Sequence, residues 1–128
     1  NARSVAEFLL GHPSVSWVNY AGLEDNKYGP LVEKYLPHGA GSILTFGVKG
    51  GDAAGREFIN HAQFMSHLAN VGDARTLIIH PASTTHRQLD EEQQRAAGIT
   101  ADMVRISVGL ETLDDILWDI DQALNSMA

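Results

Sequence analysis

The stretch MVRISVG at residues 103–109 decides the fold, because apolar and polar side chains alternate along it. A period of two is typical of a strand with one buried face and one open face. The valines and the isoleucine of this stretch are therefore expected to face a core, and Arg105 and Ser107 to point away from it. The stretch predicts a sheet that packs against helices on one face and presents a charged side chain on the other.

Three further segments are predicted to be strands. Residues 15–20 are rich in β-branched and aromatic side chains, a composition that favours a strand. Residues 42–48 alternate in the same way, with apolar side chains on the even numbers. Residues 76–80 form a nearly continuous apolar run that Pro81 ends. Together with the first stretch, these segments predict a four-stranded sheet.

Apolar residues at intervals of three and four predict helices, and a polar segment rich in Gln and Glu predicts one more on the surface. The predicted helices cover residues 1–10, 28–36, 52–69, 88–97 and 113–124. Asp52 is expected to be the N-cap of the third helix, and residues 112–115 fit a capping box before the last one. Four short strands with helices between them imply a two-layer α+β domain, with helices on a single face of the sheet.

The composition bounds the possible functions. A chain of 128 residues with 44% hydrophobic residues is expected to form one domain with one core. Nine Lys and Arg against sixteen Asp and Glu, without a basic cluster, argue against nucleic-acid and acidic-membrane partners. The absence of Cys excludes thiolate catalysis and is compatible with a cytoplasmic location. No apolar run is long enough to span a bilayer.

Arg105 is the strongest candidate binding residue from the pattern alone. It is either an outward-facing surface side chain or a recognition group for a carboxylate or phosphate, because a planar guanidinium can bind an oxyanion through two hydrogen bonds. His80 and His86 frame a turn rich in hydroxyls, but two histidines without a third ligand indicate a metal site only weakly, and none is predicted. Lys49 lies beside two glycines without the spacing of a phosphate-binding loop. The residues thus indicate a candidate anion-binding strand and no catalytic residue.

Two motifs carry a resemblance to a known family. They are HPASTTH at residues 80–86 and VRISVGLE at residues 104–111. In these motifs, their order and their separation, the sequence resembles the C-terminal domain of the pyridoxal-phosphate (PLP) enzymes of Cys/Met metabolism, the cystathionine γ-synthase-like enzymes of fold-type I. Segments such as FGVKGG at residues 46–51 are more similar to the O-acetylhomoserine sulfhydrylases of this family than to its lyases. The resemblance covers essentially the whole chain.

The resemblance implies a fold and a set of binding residues. It implies that the four-stranded sheet is largely antiparallel, as in the C-terminal small domain of fold-type I enzymes. In the family, the arginine of an Arg-x-Ser-Val-Gly strand binds the substrate α-carboxylate, a role that corresponds to Arg105. Asn70 lies where the family often has the serine of a Ser-Leu-Gly turn, and its amide is expected to bind the same carboxylate. Thr85 corresponds to a residue that the family places near the cofactor, and it is the third expected substrate-binding residue.

The same resemblance implies an activity and partners. It implies PLP-dependent γ-replacement, in which O-acetylhomoserine and sulfide give homocysteine for methionine biosynthesis, with the cofactor as electron sink. The Schiff-base lysine and most of the cofactor site belong to the family's N-terminal domain, and none of the three lysines of this chain lies in a matching motif. We therefore expect residues 1–128 to be an inactive C-terminal fragment that requires an N-terminal domain of the same protein. The family resemblance further suggests a cytoplasmic homotetramer.

Two kinds of alternative stay open at the level of the sequence. Within the family, the protein could be a cystathionine γ-synthase or a methionine γ-lyase, which the substrates of the intact protein would distinguish. Outside the family, it could be a non-enzymatic α+β module that binds an amino acid. Tight amino-acid binding by the isolated chain without cofactor would indicate such a module.

Overall fold

The computed structural model describes residues 1–127, whose helices and strands follow the predicted order with one additional strand and a 3₁₀ turn. The helices are α1 (Ala2–Gly11), α2 (Gly29–Tyr35), α3 (Gly51–His61), α4 (Glu91–Ala96) and α5 (Leu113–Asn125). The strands are β1 (Val15–Asn19), β2 (Ile43–Val48), β3 (Ser66–His67), β4 (Leu77–Ile79) and β5 (Met103–Ser107), and a 3₁₀ turn covers Pro81–Ser83. Within these residues, no helix is long and apolar enough to cross a membrane.

The strands of residues 1–127 form one five-stranded sheet in the order β1-β2-β5-β4-β3. Neighbouring strands are antiparallel except for β3 and β4, which are parallel. The α+β class and the largely antiparallel sheet are therefore confirmed, whereas the predicted number of four strands is wrong. The strand that alternates most clearly in the sequence, β5, lies at the centre of the sheet.

The additional strand, β3, forms because α3 ends earlier than the sequence predicts. The predicted helix continues past Met65, whereas α3 ends at His61. The carboxylate of Asp119, fully buried in α5, accepts the backbone N–H groups of Gln63, Phe64 and Met65 at 2.8, 2.9 and 2.8 Å. In a continued helix these N–H groups would donate to carbonyls one turn earlier. The contact with Asp119 therefore replaces helical hydrogen bonds, and the chain leaves the helix to pair with β4.

Three helices, α1, α3 and α5, pack on one face of the sheet and enclose the core. Val104 and Ile106 of β5 are fully buried there, while Arg105 between them is only partly buried, as the alternation predicts. Phe46 of β2 and Phe58 of α3 meet edge to face, with ring centroids 5.5 Å apart. Such a pair contributes about 0.5–1.5 kcal/mol beyond the burial of its apolar area. The core thus fixes one face of the sheet and leaves Arg105 on the other.

Two helix starts differ from the predictions. The N-cap of α3 is Gly50, with a φ of +112°, and the predicted N-cap Asp52 lies in the first turn, where its carboxylate accepts a hydrogen bond from Arg56. Thr112 is the N-cap of α5, but its side chain makes no cap hydrogen bond. The N–H that a capping box would use donates to the Thr112 carbonyl oxygen instead. A capping box forms before α4, at Asp90, where none was predicted.

The helix α2 does not contribute to the core. None of its residues is buried, and the apolar side chains of Leu31 and Tyr35 are 51% and 65% exposed. The apolar spacing predicts the helix correctly, but the stripe faces away from the core of the described residues.

Candidate functional site

Arg105 lies at the centre of the sheet. It is the middle residue of β5, and its Cα is paired with those of Thr45 on β2 and Ile79 on β4. Both edges of β5 are held by antiparallel neighbours, so the guanidinium projects from a rigid support. The side chain leaves the sheet on the face opposite to the buried Val104 and Ile106.

The charge of Arg105 has no carboxylate partner within residues 1–127. In that part of the chain, the arginines that form ion pairs are Arg3, Arg56, Arg75 and Arg95. A guanidinium stays charged at all physiological pH values, presents its donors in a planar fork, and matches the two oxygens of a carboxylate. A partly buried guanidinium without an internal counter-ion is therefore suited to bind an external carboxylate.

Asn70 lies in the loop between β3 and β4, where the loop itself holds its amide. Its Oδ1 accepts the N–H of Val71 at 2.8 Å, and its Nδ2 donates to Asp73 at 3.3 Å. Arg75 donates to both oxygens of Asp73, at 3.1 and 2.8 Å, and its side-chain and backbone hydrogen bonds hold the pKa of Asp73 well below its usual value. The exposed amide of Asn70 retains a second N–H for an external acceptor.

Thr85 lies in the turn that follows the 3₁₀ segment Pro81–Ser83, and it is exposed. Its hydroxyl is hydrogen-bonded to Nδ1 of His86 at 2.8 Å. The backbone N–H of His86 donates to the carbonyl of Pro81 at 2.9 Å, which closes the turn. The hydroxyl is thus oriented by its own turn and accessible from outside.

The structure does not gather the three predicted residues into one cluster. The loop with Asn70 precedes β4, and the turn with Thr85 follows it, so these residues lie beyond opposite ends of that strand. Arg105 lies opposite Ile79, the last residue of β4. Within residues 1–127, no hydrogen bond joins any two of the three side chains. The substrate-binding roles of all three residues stay predictions.

His80 supports the turn that carries Thr85. Its ring is buried, its Nε2 donates to the carbonyl of Ala101 at 2.7 Å, and its Nδ1 is hydrogen-bonded to Oγ of Ser83 at 2.7 Å. A carbonyl oxygen only accepts, so Nε2 carries a hydrogen. Gly55 of α3 packs against this ring, and a Cβ at that position would lie 2.6 Å from it. Both ring nitrogens are therefore engaged in holding the turn.

Thr76 and Glu111 form a network that sequence reasoning missed. The backbone N–H of Thr76 donates to both carboxylate oxygens of Glu111, at 3.0 and 2.8 Å, and the Thr76 hydroxyl donates to Oε1 at 3.0 Å. The same hydroxyl accepts the N–H of Gly109 at 2.9 Å. In the sequence, Thr76 resembles any β-branched first residue of an apolar strand, and Glu111 resembles a surface acid. Only the buried hydroxyl, visible in the structure, identifies the network.

A central strand that projects an arginine without a carboxylate partner among residues 1–127 makes this α+β domain a candidate for anion binding. Comparison with known proteins identifies the family of this chain. The chain belongs to the family of Cys/Met metabolism PLP-dependent enzymes, whose family model matches residues 1–125. The resemblance drawn from the two motifs is confirmed.

Similar proteins narrow the assignment within the family. The chain is 50% identical over 124 residues to a homocysteine synthase of Schizosaccharomyces pombe, covering 97% of the chain and 29% of that protein. It is 49% identical to O-acetyl-L-homoserine sulfhydrylase 1 of Thermus thermophilus, covering 97% of the chain and 30% of that protein. These names favour the sulfhydrylase branch over the cystathionine γ-synthase, methionine γ-lyase and non-enzymatic alternatives. The chain therefore spans less than a third of the length of these relatives.

A solved structure agrees with this assignment. The crystal structure of a putative O-acetylhomoserine (thiol)-lyase from Campylobacter jejuni superimposes with a TM-score of 0.90 at 44% identity. The match covers 98% of this chain and 30% of that one, which carries N'-pyridoxyl-lysine-5'-monophosphate. The fold of residues 1–127 is thus the fold of part of a PLP-dependent enzyme.

The residues of this chain do not fit PLP as a complete site. Lys27, Lys34 and Lys49 are all exposed. The amine of Lys49 donates to the carbonyl of Pro13 at 2.6 Å, and the amines of the other two lie over the rings of the adjacent tyrosines. A covalently held PLP requires an enclosed lysine beside groups that bind its phosphate and ring.

Proposed function

We propose that this chain binds the α-carboxylate of O-acetylhomoserine through Arg105, as the C-terminal domain of an O-acetylhomoserine sulfhydrylase. The observation that carries the proposal is the partly buried guanidinium at the centre of the sheet. The identities of 50% and 49% to a homocysteine synthase and an O-acetyl-L-homoserine sulfhydrylase support the choice of substrate.

The proposed reaction converts O-acetylhomoserine and hydrosulfide into homocysteine and acetate. The bond between the γ-carbon and the ester oxygen breaks, acetate leaves with the electron pair, and a bond forms between the γ-carbon and sulfur. Arg105 takes no part in these bond changes. It donates two hydrogen bonds to the α-carboxylate, so that the energy of binding a non-reacting group holds the reacting carbon in place.

We also infer roles for two further residues and for partners. Asn70 donates its remaining amide N–H to the same carboxylate, and Thr85 places its hydroxyl near PLP. An N-terminal domain of the same protein supplies the Schiff-base lysine, and the assembly is a cytoplasmic homotetramer. The relatives are more than three times as long as the part that matches this chain, which supports a further domain.

A kinetic comparison in the full-length protein tests the role of Arg105. Arg105→Ala should lower kcat/KM for O-acetylhomoserine roughly 10- to 150-fold, because a hydrogen bond to a charged group is worth about 1.5–3 kcal/mol. Arg105→Lys keeps the charge without the planar fork and should lie in between. Arg95→Ala removes an exposed arginine of α4 and should stay within about twofold of the wild type. An unchanged kcat/KM in Arg105→Ala would refute the proposal.

A further inference from the structure

The hydroxyl of Thr76 stands at the centre of a chain of hydrogen bonds between two segments that are distant in sequence. It accepts from the N–H of Gly109 and donates to the carboxylate of Glu111. Thr76 is fully buried, with a relative exposure of 0%. If the hydroxyl is removed, the N–H of Gly109 loses its acceptor, whereas Glu111 loses one donor and keeps the backbone N–H of Thr76. Water cannot freely take the place of the hydroxyl in this buried site. The network therefore fixes the position of residues 109–111 relative to the start of β4.

The same segments also hold the loop that carries Asn70. The N–H of Leu110 donates to the carbonyl of Ala74 at 2.9 Å. A Cβ on Gly109 would collide with that carbonyl and with the Glu111 carboxylate, so the close approach requires glycine. The loop from Asn70 to Thr76 is thus fastened to the segment that directly follows β5.

This fastening goes beyond what the sheet itself requires. The ladder between β4 and β5 already pairs Leu77 with Ser107 and Ile79 with Arg105. Thr76 and Glu111 lie outside the apolar core cluster, and their hydrogen bonds begin where the ladder ends. What they add is a fixed position for the Asn70 loop with respect to the strand that carries Arg105.

We propose that Thr76 and Glu111 are positioning residues for substrate binding. They hold the Asn70 loop at the end of β5, so that Asn70 and Arg105 reach one substrate carboxylate together. This inference rests on the proposed function, because it requires that Arg105 binds that carboxylate.

A pair of substitutions at Thr76 in the full-length enzyme separates positioning from folding. Thr76→Val keeps the shape of the side chain and removes the hydroxyl, whereas Thr76→Ser keeps the hydroxyl. Thr76→Val should raise KM for O-acetylhomoserine about tenfold, with kcat and the KM for sulfide within about twofold of the wild type. Thr76→Ser should restore the KM for O-acetylhomoserine. An unchanged KM in Thr76→Val, with only a lower melting temperature or less active enzyme, would overturn the inference.

Two further measurements complete the test. In the Asn70→Ala background, Thr76→Val should raise KM less than twofold, since a positioning residue acts through the group it positions. If Thr76→Val does not fold, Glu111→Gln gives the same test, because its amide nitrogen must face a backbone N–H and the network loosens. A tenfold effect that persists without the Asn70 amide would contradict the inference. Failure of the proposed function itself looks different, since the wild-type enzyme would then not turn over O-acetylhomoserine with sulfide.

Discussion

Replacing Asp119 should weaken the domain in a graded way. Its buried carboxylate accepts three backbone N–H groups of residues 63–65, and Gln122 Nε2 also donates to Oδ1 at 2.9 Å. Each buried donor left without a partner costs about 1–3 kcal/mol. Asp119→Ala leaves all three backbone N–H groups without this acceptor. Because water can reach them in part, we expect the free energy of unfolding to fall by about 3–5 kcal/mol. That is a large share of the about 5–15 kcal/mol by which small domains are stable.

Asp119→Asn is nearly the same size and should cost less. Its carbonyl oxygen can take the place of Oδ2, which accepts from Phe64 and Met65, while its NH₂ group then faces the N–H of Gln63. One backbone donor instead of three loses its partner, and the Gln122 amide keeps its hydrogen bonds to the carbonyls of His61 and Asp119. We therefore expect the free energy of unfolding to fall by about 1–3 kcal/mol.

Urea unfolding of the 128-residue chain, followed by far-UV circular dichroism, measures both values. Asp115→Asn, an exposed change in the first turn of the same helix, is the matched control and should cost at most about 1 kcal/mol. Hydrogen exchange should accelerate at the amides of residues 63–65 in both Asp119 variants. If Asp119→Ala unfolds at the same urea concentration as the control, the carboxylate does not stabilise the segment after α3 and the reasoning is refuted.

Two other predictions concern the contact between Gly55 and His80 and the loss of stability at low pH that involves Asp73. Gly55→Ala should destabilise the chain by about 1–3 kcal/mol in a thermal melt, because its Cβ would press on the His80 ring. Gly11→Ala, with open space around its Cβ, should be neutral or stabilising. A Gly55→Ala variant that melts at the wild-type temperature would contradict the first expectation, and a Gly11→Ala variant that melts clearly below it would contradict the second. Arg75 lowers the pKa of Asp73 in the folded chain, so the ionised carboxylate stabilises the fold. This stabilisation is fully present above the ordinary aspartate pKa, about 3.9, and is lost as pH falls through the lower pKa of the folded chain. Asp73→Asn should therefore flatten the loss of stability below about pH 4, and an acid limb identical to that of the wild type would show that the pair contributes nothing.

The local parts of the fold are predictable because they depend on side-chain periodicity. The alternation in β5 gives the strand, its buried face and the outward position of Arg105, and the structure agrees on all three. The apolar run of β4 and the apolar stripe of α5 predict their elements equally directly. The family, too, is evident from contiguous motifs, since HPASTTH and VRISVGLE occupy single turns and strands.

Contacts between distant residues account for what the sequence does not predict. The end of α3 depends on Asp119, which lies 54 residues after Met65 in the chain. The apolar stripe alone therefore predicts a helix that is too long. The network at Thr76 depends on Glu111, 35 residues away. Neither partner has a local signature, because a buried carboxylate and a surface carboxylate look alike in a sequence.

The position of Arg105 also affects how the sheet assembles. Because successive residues of β5 face opposite sides, a shift of one residue against β2 or β4 would drive the guanidinium into the apolar layer and expose two aliphatic side chains. Burying a charge without a partner costs several kcal/mol, so a misaligned sheet would be strongly disfavoured during folding. The residue that we assign to substrate recognition thus also disfavours a shifted register of the central strand.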